Sequence, residues 1–101
     1  MASSGQLNTG GYNGRYFEFN WWLSDINNSN NSALFNWNLI ARAGNATWYN
    51  VTAISVVING QQRFFSGNGQ VKCYKNSVFA SGNFWVNGGS GIDVQISRKY
   101  I

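Results

Sequence analysis

Apolar residues recur at every second position in several short segments of this chain, and this alternation limits its possible folds more than any other feature. In the first segment, Phe17, Phe19, Trp21 and Leu23 are separated by mostly polar residues. Side chains of a β-strand point alternately to its two faces, so a period of two indicates a strand with one buried face. The same reasoning predicts about seven short strands, in residues 15–23, 33–42, 48–58, 62–65, 71–74, 78–86 and 92–96.

Turn-forming residues separate these segments. The chain contains 16 Asn and 12 Gly, and Asn59-Gly60, with apolar alternation on both sides, is the sequence signature of a two-residue type I′ hairpin. No segment has the length and periodicity of a long helix. We therefore predict an all-β fold, a single antiparallel β-sandwich resembling a jelly roll, with an OB-like barrel as the alternative.

The polar N-terminal residues are predicted to lie outside the folded domain. Residues 1–14 are largely Ser, Gly, Asn and Gln with little apolar area to bury, so we expect a flexible leader or linker. The domain is predicted to span residues 15–101, which is long enough for one modest core. The sequence shows no signal peptide and no transmembrane segment.

The charge balance gives only a weak indication of the partner. Seven basic and three acidic side chains produce a net charge of +4 at pH 7. This excess favours anionic partners such as phosphorylated or uronic wall polymers or nucleic acid. The basic residues do not form a concentrated stripe, so charge alone does not select among these partners.

Two tryptophans occupy the polar face of their predicted strands. Trp22 shares its face with Asn20, and Trp85 shares its face with Asn83. A large indole on a polar sheet face needs either a ligand to stack on or another protein surface to bury it. Two adjacent aromatic residues at the start of a later strand are further candidates. The predicted ligand-binding residues are Trp22, Trp85, Asn20, Asn83, Trp48 and Tyr49.

The residue types needed for most catalytic chemistry are scarce. There is no histidine, and the three carboxylates, Glu18, Asp25 and Asp93, are dispersed along the chain. The positions of these carboxylates in the sequence favour neither a glycosidase-like carboxylate pair nor a calcium site at Asp25. Cys73 lies in an alternating segment and is expected to be a buried thiol. We therefore expect no catalytic residues, no metal site and no cofactor.

The aromatic residues are compatible with two classes of ligand. Single-stranded nucleic acid stacks its bases on exposed rings, with basic side chains along the phosphates. The neighbours of Trp22 and Trp85 are instead mainly Asn and Ser, which suit the hydroxyl groups of a sugar. We therefore expect a carbohydrate-binding face, without nucleic acid or membrane as a partner.

Five segments, taken in their order and spacing, resemble known phage proteins. They are residues 17–21 (FEFNW), 28–37 (NSNNSALFNW), 56–60 (VVING), 80–84 (ASGNF) and 92–96 (IDVQI). The chain looks like the β-sandwich modules of phage minor tail structural proteins from Gram-positive hosts. It also resembles the C-terminal cell-wall-binding domain of enterococcal phage endolysins, which we favour. Residues 87–91 (NGGSG) depart from the acidic, His-containing turn of the family, so no role is transferred to them.

The resemblance to the endolysin domain implies a function and partners. It implies a non-catalytic module that binds a Gram-positive cell-wall glycopolymer and targets a full-length endolysin or its catalytic domain. It also implies that an internal translation start, with which Met1 is compatible, yields free binding domains that assemble with the full-length enzyme into a tetramer. For this chain we therefore expect a homo-oligomer, a homotetramer. Such a chain is made in the host bacterial cytoplasm and acts at the bacterial cell wall. The alternative is a structural or receptor-binding module of a phage tail.

Overall fold

The structure, a computed structural model, describes residues 4–11, 14–87 and 92–100 of the chain. Within these ranges there is no helix, and accordingly none that could cross a membrane. The described residues form eight strands. They are β1 (Ser4–Asn8), β2 (Arg15–Asn27), β3 (Ser32–Ala43), β4 (Trp48–Ile58), β5 (Gln61–Phe65), β6 (Val71–Tyr74), β7 (Val78–Asn87) and β8 (Val94–Tyr100).

The strands form two antiparallel sheets, which pack together as a β-sandwich. Sheet A has the order β1-β2-β3-β7. In sheet B the long strand β4 is central and pairs with β5, β6 and β8. Val51 pairs with both Val71 of β6 and Tyr100 of β8, so these two strands flank opposite edges of β4. The predicted all-β sandwich is confirmed.

The core lies between the sheets and follows the alternation read from the sequence. In β3 every second residue from Ala33 to Ala43 is buried, and the residues between them are partly exposed. Phe17 and Phe19 of β2 are fully buried on the same face. From sheet B the largest buried aliphatic side chains are Val51, Ile54, Val56 and Ile58. Aromatic rings stack within this core, as Phe19 and Trp37 do at a centroid distance of 5.8 Å.

The predicted leader contributes a strand, which corrects the domain boundary. Ser4–Asn8 form β1 and pair with β2, with Gly5 opposite Trp21 and Leu7 opposite Phe19. The segment carries no apolar alternation because its inward position opposite Trp21 is a glycine. The sandwich therefore begins before Arg15, and the strand count rises from about seven to eight.

A β-bulge in β4 reverses which side chains point into the core. The pairing of β4 with β8 shifts register between Thr52 and Ser55, and Ala53 has a φ of 55°. A bulge adds one residue to a strand, so the alternation changes phase across it. Tyr49 is consequently buried and Trp48 exposed, which corrects the expectation that the Tyr49 ring is presented to a ligand.

The predicted hairpin at Asn59-Gly60 is present. Ile58 pairs with Gln61 across the turn, and φ is 52° at Asn59 and 80° at Gly60. Two positive φ angles are what a type I′ turn requires. The other glycine-rich turn that the sequence singled out, residues 87–91, lies outside the described residues except for Asn87.

Candidate functional site

Trp22 and Trp85 both lie on the outer face of sheet A. Trp22 on β2 is 44 % exposed, and Trp85 on β7 is 62 % exposed. Trp37, in contrast, is 3 % exposed, and Trp21 packs against the core cluster. The predicted position of Trp22 and Trp85 on the polar face of their strands, and of Trp21 on the apolar face, is confirmed.

The strand pairing brings Trp22 and Trp85 onto one surface. Trp22 is opposite Asn36 of the intervening strand β3, and Asn36 is opposite Asn83 of β7. Trp85 is two residues beyond Asn83 and opposite Leu34. Two strand spacings and a two-residue offset separate the backbones of the two tryptophans by roughly 12 Å. We call the surface formed by Trp22, Ser24, Leu34, Asn36, Asn83 and Trp85 the indole face.

Asn36 is the central polar group of the indole face. Its amide Nδ2 donates to Ser24 Oγ (2.8 Å), to the backbone oxygen of Trp22 (3.2 Å) and to that of Leu34 (3.3 Å). These contacts fix the side chain between the two tryptophans. Its Oδ1 accepts no hydrogen bond from the described residues, so this oxygen is available to a ligand hydroxyl group. Asn36 could not be singled out from the sequence, because only the strand pairing places it between the indoles.

Asn20, a predicted ligand contact, belongs to a charged network beside the indole face. Its Nδ2 donates to Glu18 Oε2 and to Asn38 Oδ1, both at 3.1 Å. Arg42 Nη2 forms an ion pair with the same Glu18 oxygen at 3.0 Å. The hydrogen bond from Asn20, and then the hydrogen bond and charge of Arg42, lower the pKa of Glu18 despite the opposing effect of desolvation. Asn20 thus holds Glu18 in place within the sheet surface.

An open pocket of about 350 Å³ lies beside Trp85. Its lining residues come from the end of β2, the β2–β3 turn, the start of β3 and β7. They are Asp25, Asn27, Asn30, Ser32 and Trp85. We call this the Trp85 pocket. Its volume lies at the lower end of the range of about 300–1,000 Å³ that is typical of small-molecule sites.

A second bulge places Asp25 at the Trp85 pocket. The pairing of β2 with β3 shifts register between Ser24 and Asn27, and Asp25 has a φ of 49°. Bulges of this kind redirect a side chain near the end of a strand. From the sequence, Asp25 is a candidate only for a calcium site or for one member of a glycosidase-like carboxylate pair. The pocket could not be found from the sequence, because Trp85 lies 60 residues further along the chain.

The remaining candidates lie elsewhere in the molecule. Trp48 is on the outer face of sheet B, opposite Tyr74, with Lys72 Nζ 4.3 Å from its ring centroid. Tyr49 is 3 % exposed, and its hydroxyl donates to the backbone oxygen of Tyr16 at 3.1 Å. The structure therefore brings neither residue together with the two tryptophans of the indole face.

The acidic and thiol groups are not arranged as a cluster. Within the described residues, no three His, Cys, Asp or Glu side chains lie close enough to hold a metal ion. Asp93 is attached to the Asn59 turn, where its amide donates to Asn59 Oδ1 at 2.9 Å. Cys73 is buried as predicted, and desolvation raises the pKa of its thiol to about 12. The thiol is therefore neutral at physiological pH.

Comparisons of the chain with protein-family models, with curated proteins and with solved structures find no significant match. The chemistry available to the protein is therefore inferred from the site itself. The indole face offers two flat apolar surfaces with an amide oxygen between them, and the Trp85 pocket adds a carboxylate and further amides.

Proposed function

We propose that this protein is a non-catalytic carbohydrate-binding module whose ligand lies across the indole face. The observation that carries the proposal is the placement of Trp22 and Trp85 on one polar sheet face, with Asn36 between them. An indole provides a flat apolar surface with a polar edge, which matches the alternation of C–H and hydroxyl groups on a sugar ring. Amide side chains can both donate to hydroxyl groups and accept from them.

The sequence resemblance to the endolysin domain makes the proposal more specific. We infer that the ligand is a glycopolymer of the Gram-positive cell wall and that the module targets a phage endolysin to it. The lytic reaction then belongs to the partner catalytic domain. In this proposal the chain is synthesised in the host cytoplasm and acts at the wall.

Oligomerisation supplies the affinity in this proposal. The indole face is a surface with half-exposed rings, and a ligand there stays partly in contact with solvent. A single site of this kind binds weakly. Linked copies convert later binding events into intramolecular ones, which can raise the overall affinity by about 10²–10⁴. A homotetramer on a repetitive wall polymer would use this gain.

A second candidate is a structural or receptor-binding module of a phage tail. The outer face of sheet B favours it, since Tyr74 is 56 % exposed and Phe65 is 46 % exposed. Exposed aromatic side chains of this kind can be buried in a protein contact. In that function the aromatic residues of sheet B would be required, and those of the indole face would not.

Binding of fluorescently labelled protein to intact enterococcal cells tests the proposal. We expect the wild type to decorate the cells without lowering their turbidity, and Trp22→Ala and Trp85→Ala to lose most of the bound signal. Tyr74→Ala is the matched control, because it removes an exposed aromatic ring from the opposite sheet. Loss of binding in Tyr74→Ala alone would favour the tail module. A fall in turbidity with this chain alone would show that it is not a pure binding module.

A further inference from the structure

The Trp85 pocket has a local charge opposite to that of the whole chain. The chain has a net charge of +4, but among the described residues the five that line the pocket contain one carboxylate, Asp25, and no basic side chain. Asp25 accepts no hydrogen bond from the described residues, so its oxygens are available to a ligand. An anionic ligand in this pocket would meet a like charge at short range.

Hydrogen bonds at the β2–β3 turn determine which polar atoms a ligand in the Trp85 pocket would meet. Asn27 Oδ1 accepts from the backbone amide of Ser29 at 2.9 Å. Asn30 Oδ1 accepts from Ser32 Oγ at 2.6 Å. Both amide oxygens are therefore engaged. The Nδ2 groups of Asn27 and Asn30 remain as donors, since neither has an acceptor among the described residues.

The pocket thus combines a strong acceptor with two donors. The Asp25 carboxylate accepts but cannot donate when ionised, while the two Nδ2 groups donate but cannot accept. A hydroxyl group both donates and accepts, so adjacent hydroxyls can satisfy the two kinds of group together. A phosphate or carboxylate could satisfy only the amides and would leave Asp25 facing a negative charge. Trp85 supplies a flat surface at the same site.

We propose that the Trp85 pocket is a subsite that selects an uncharged sugar ring with adjacent hydroxyl groups. In this arrangement Asp25 accepts from the hydroxyls, Asn27 and Asn30 donate to them, and the indole of Trp85 packs on the ring. The inference rests on the proposed carbohydrate-binding function and specifies its ligand class. The positive charge of the chain would therefore not determine which polymer is recognised.

Titration of the wild type against two sets of immobilised glycans tests this inference. One set contains neutral oligosaccharides of glucose, galactose, rhamnose and N-acetylglucosamine, and the other contains polygalacturonate and a glycerol-phosphate polymer. We expect binding to at least one neutral glycan, with an affinity that changes little with added salt because no ion pair to the ligand is formed. The two anionic polymers should bind more weakly.

Asp25→Asn provides the residue-level test. Asn tolerates the left-handed φ of this position, so the bulge should be kept, and circular dichroism checks the fold. The substitution replaces a charged acceptor by a neutral amide oxygen and turns the other acceptor into a donor, which should lower the affinity for the neutral glycan by about tenfold. The same substitution should narrow the preference for neutral over anionic glycans. Asn68→Ala, which changes an exposed amide in a loop attached to sheet B, is the control and should bind as the wild type does.

The outcomes separate this inference from the proposed function. Preference of the wild type for the anionic polymers, or unchanged affinities in Asp25→Asn, would overturn the proposal that the Trp85 pocket selects an uncharged sugar. If Trp22→Ala still abolished glycan binding in that case, the carbohydrate-binding function would stand. If the wild type bound neither glycan set nor intact cell walls, both the proposed subsite and the proposed carbohydrate-binding function would be overturned.

Discussion

The indole of Trp37 lies against Gly82 of the neighbouring strand, and a Cβ atom at position 82 would stand 3.0 Å from Trp37 Nε1. The same relationship holds at the other side of sheet A, where a Cβ at Gly5 would stand 2.5 Å from Trp21 Nε1. Since Trp21 and Trp37 are register partners, the row Gly5–Trp21–Trp37–Gly82 crosses all four strands. Each large ring occupies the space that a side chain on the adjacent strand would otherwise fill.

Gly5→Ala should destabilise the domain, because the added methyl group overlaps the Trp21 ring and must displace β1. Overpacking of this kind typically costs about 1–3 kcal/mol. Thermal denaturation measures it. Gly69→Ala is the matched control, since nothing lies within 4 Å of a Cβ there, and its stability should equal or slightly exceed that of the wild type. Equal melting temperatures for the two variants would show that the added methyl group does not clash with the Trp21 ring.

Substitution by alanine should destabilise the domain much more at the buried Trp37 than at the exposed Trp22 and Trp85. Trp37→Ala removes a buried ring and should cost about 3–5 kcal/mol, enough to unfold a domain of ordinary stability. Trp22→Ala and Trp85→Ala remove exposed rings and should change stability by less than about 0.5 kcal/mol. Urea denaturation distinguishes the two groups. Unfolding of the Trp85→Ala domain would contradict the assignment of that ring to the ligand face.

Glu18 should contribute a pH-dependent part of the stability. Its folded-state pKa lies below the ordinary value of 4.5, mainly because Asn20 donates to its carboxylate. The stabilisation by Glu18 is therefore fully present above about pH 4.5 and is lost as the pH falls through the lower folded-state pKa. Glu18→Gln should be less stable than the wild type near neutral pH, and the difference should shrink as the pH falls below the ordinary pKa of 4.5. Denaturant midpoints measured across this range provide the check, and a constant difference would exclude the effect.

Cys73 should be unreactive while the domain is folded. The thiol is 1 % exposed, and burial raises its pKa to about 12, so almost none of the nucleophilic thiolate is present. Alkylation by iodoacetamide at about pH 8 should proceed only after denaturant is added. Mass spectrometry reads the modification directly. Rapid labelling without denaturant would place Cys73 outside the core.

Light scattering should detect a homo-oligomer, most simply the tetramer implied by the family resemblance. The expected mass is four times the chain mass of 11.2 kDa. An exposed aromatic side chain on the outer face of sheet B, Phe65, is available for such contacts. Phe65→Ala should shift the equilibrium toward smaller species if this part of sheet B carries the contact. A monomer at micromolar concentration in the wild type would reject the prediction.

The sequence was sufficient to predict the features that depend only on residues close together in the chain. Alternation in residues 15–23 placed Phe17 and Phe19 in the core and Trp22 outside it, because successive side chains of an uninterrupted strand must change face. The Asn59-Gly60 turn could be predicted for a similar reason, since both residues tolerate positive φ. These properties are local and need no knowledge of the partner strand.

The tertiary structure decided the features that depend on pairing between distant segments. A bulge at Ala53 turned Tyr49 inward, and another directed Asp25 toward Trp85, because one extra residue changes the phase of a strand. The polar segment Ser4–Asn8 became a strand because backbone pairing with β2 needs no apolar side chain, and Gly5 leaves room for Trp21. Alternation determined which face Trp22 and Trp85 would take, because the strand register is uninterrupted around each of them. Only the pairing of β3 with β7 brought Trp22, Asn36 and Trp85 onto one surface, since hydrogen bonds between strands join residues that the sequence keeps far apart.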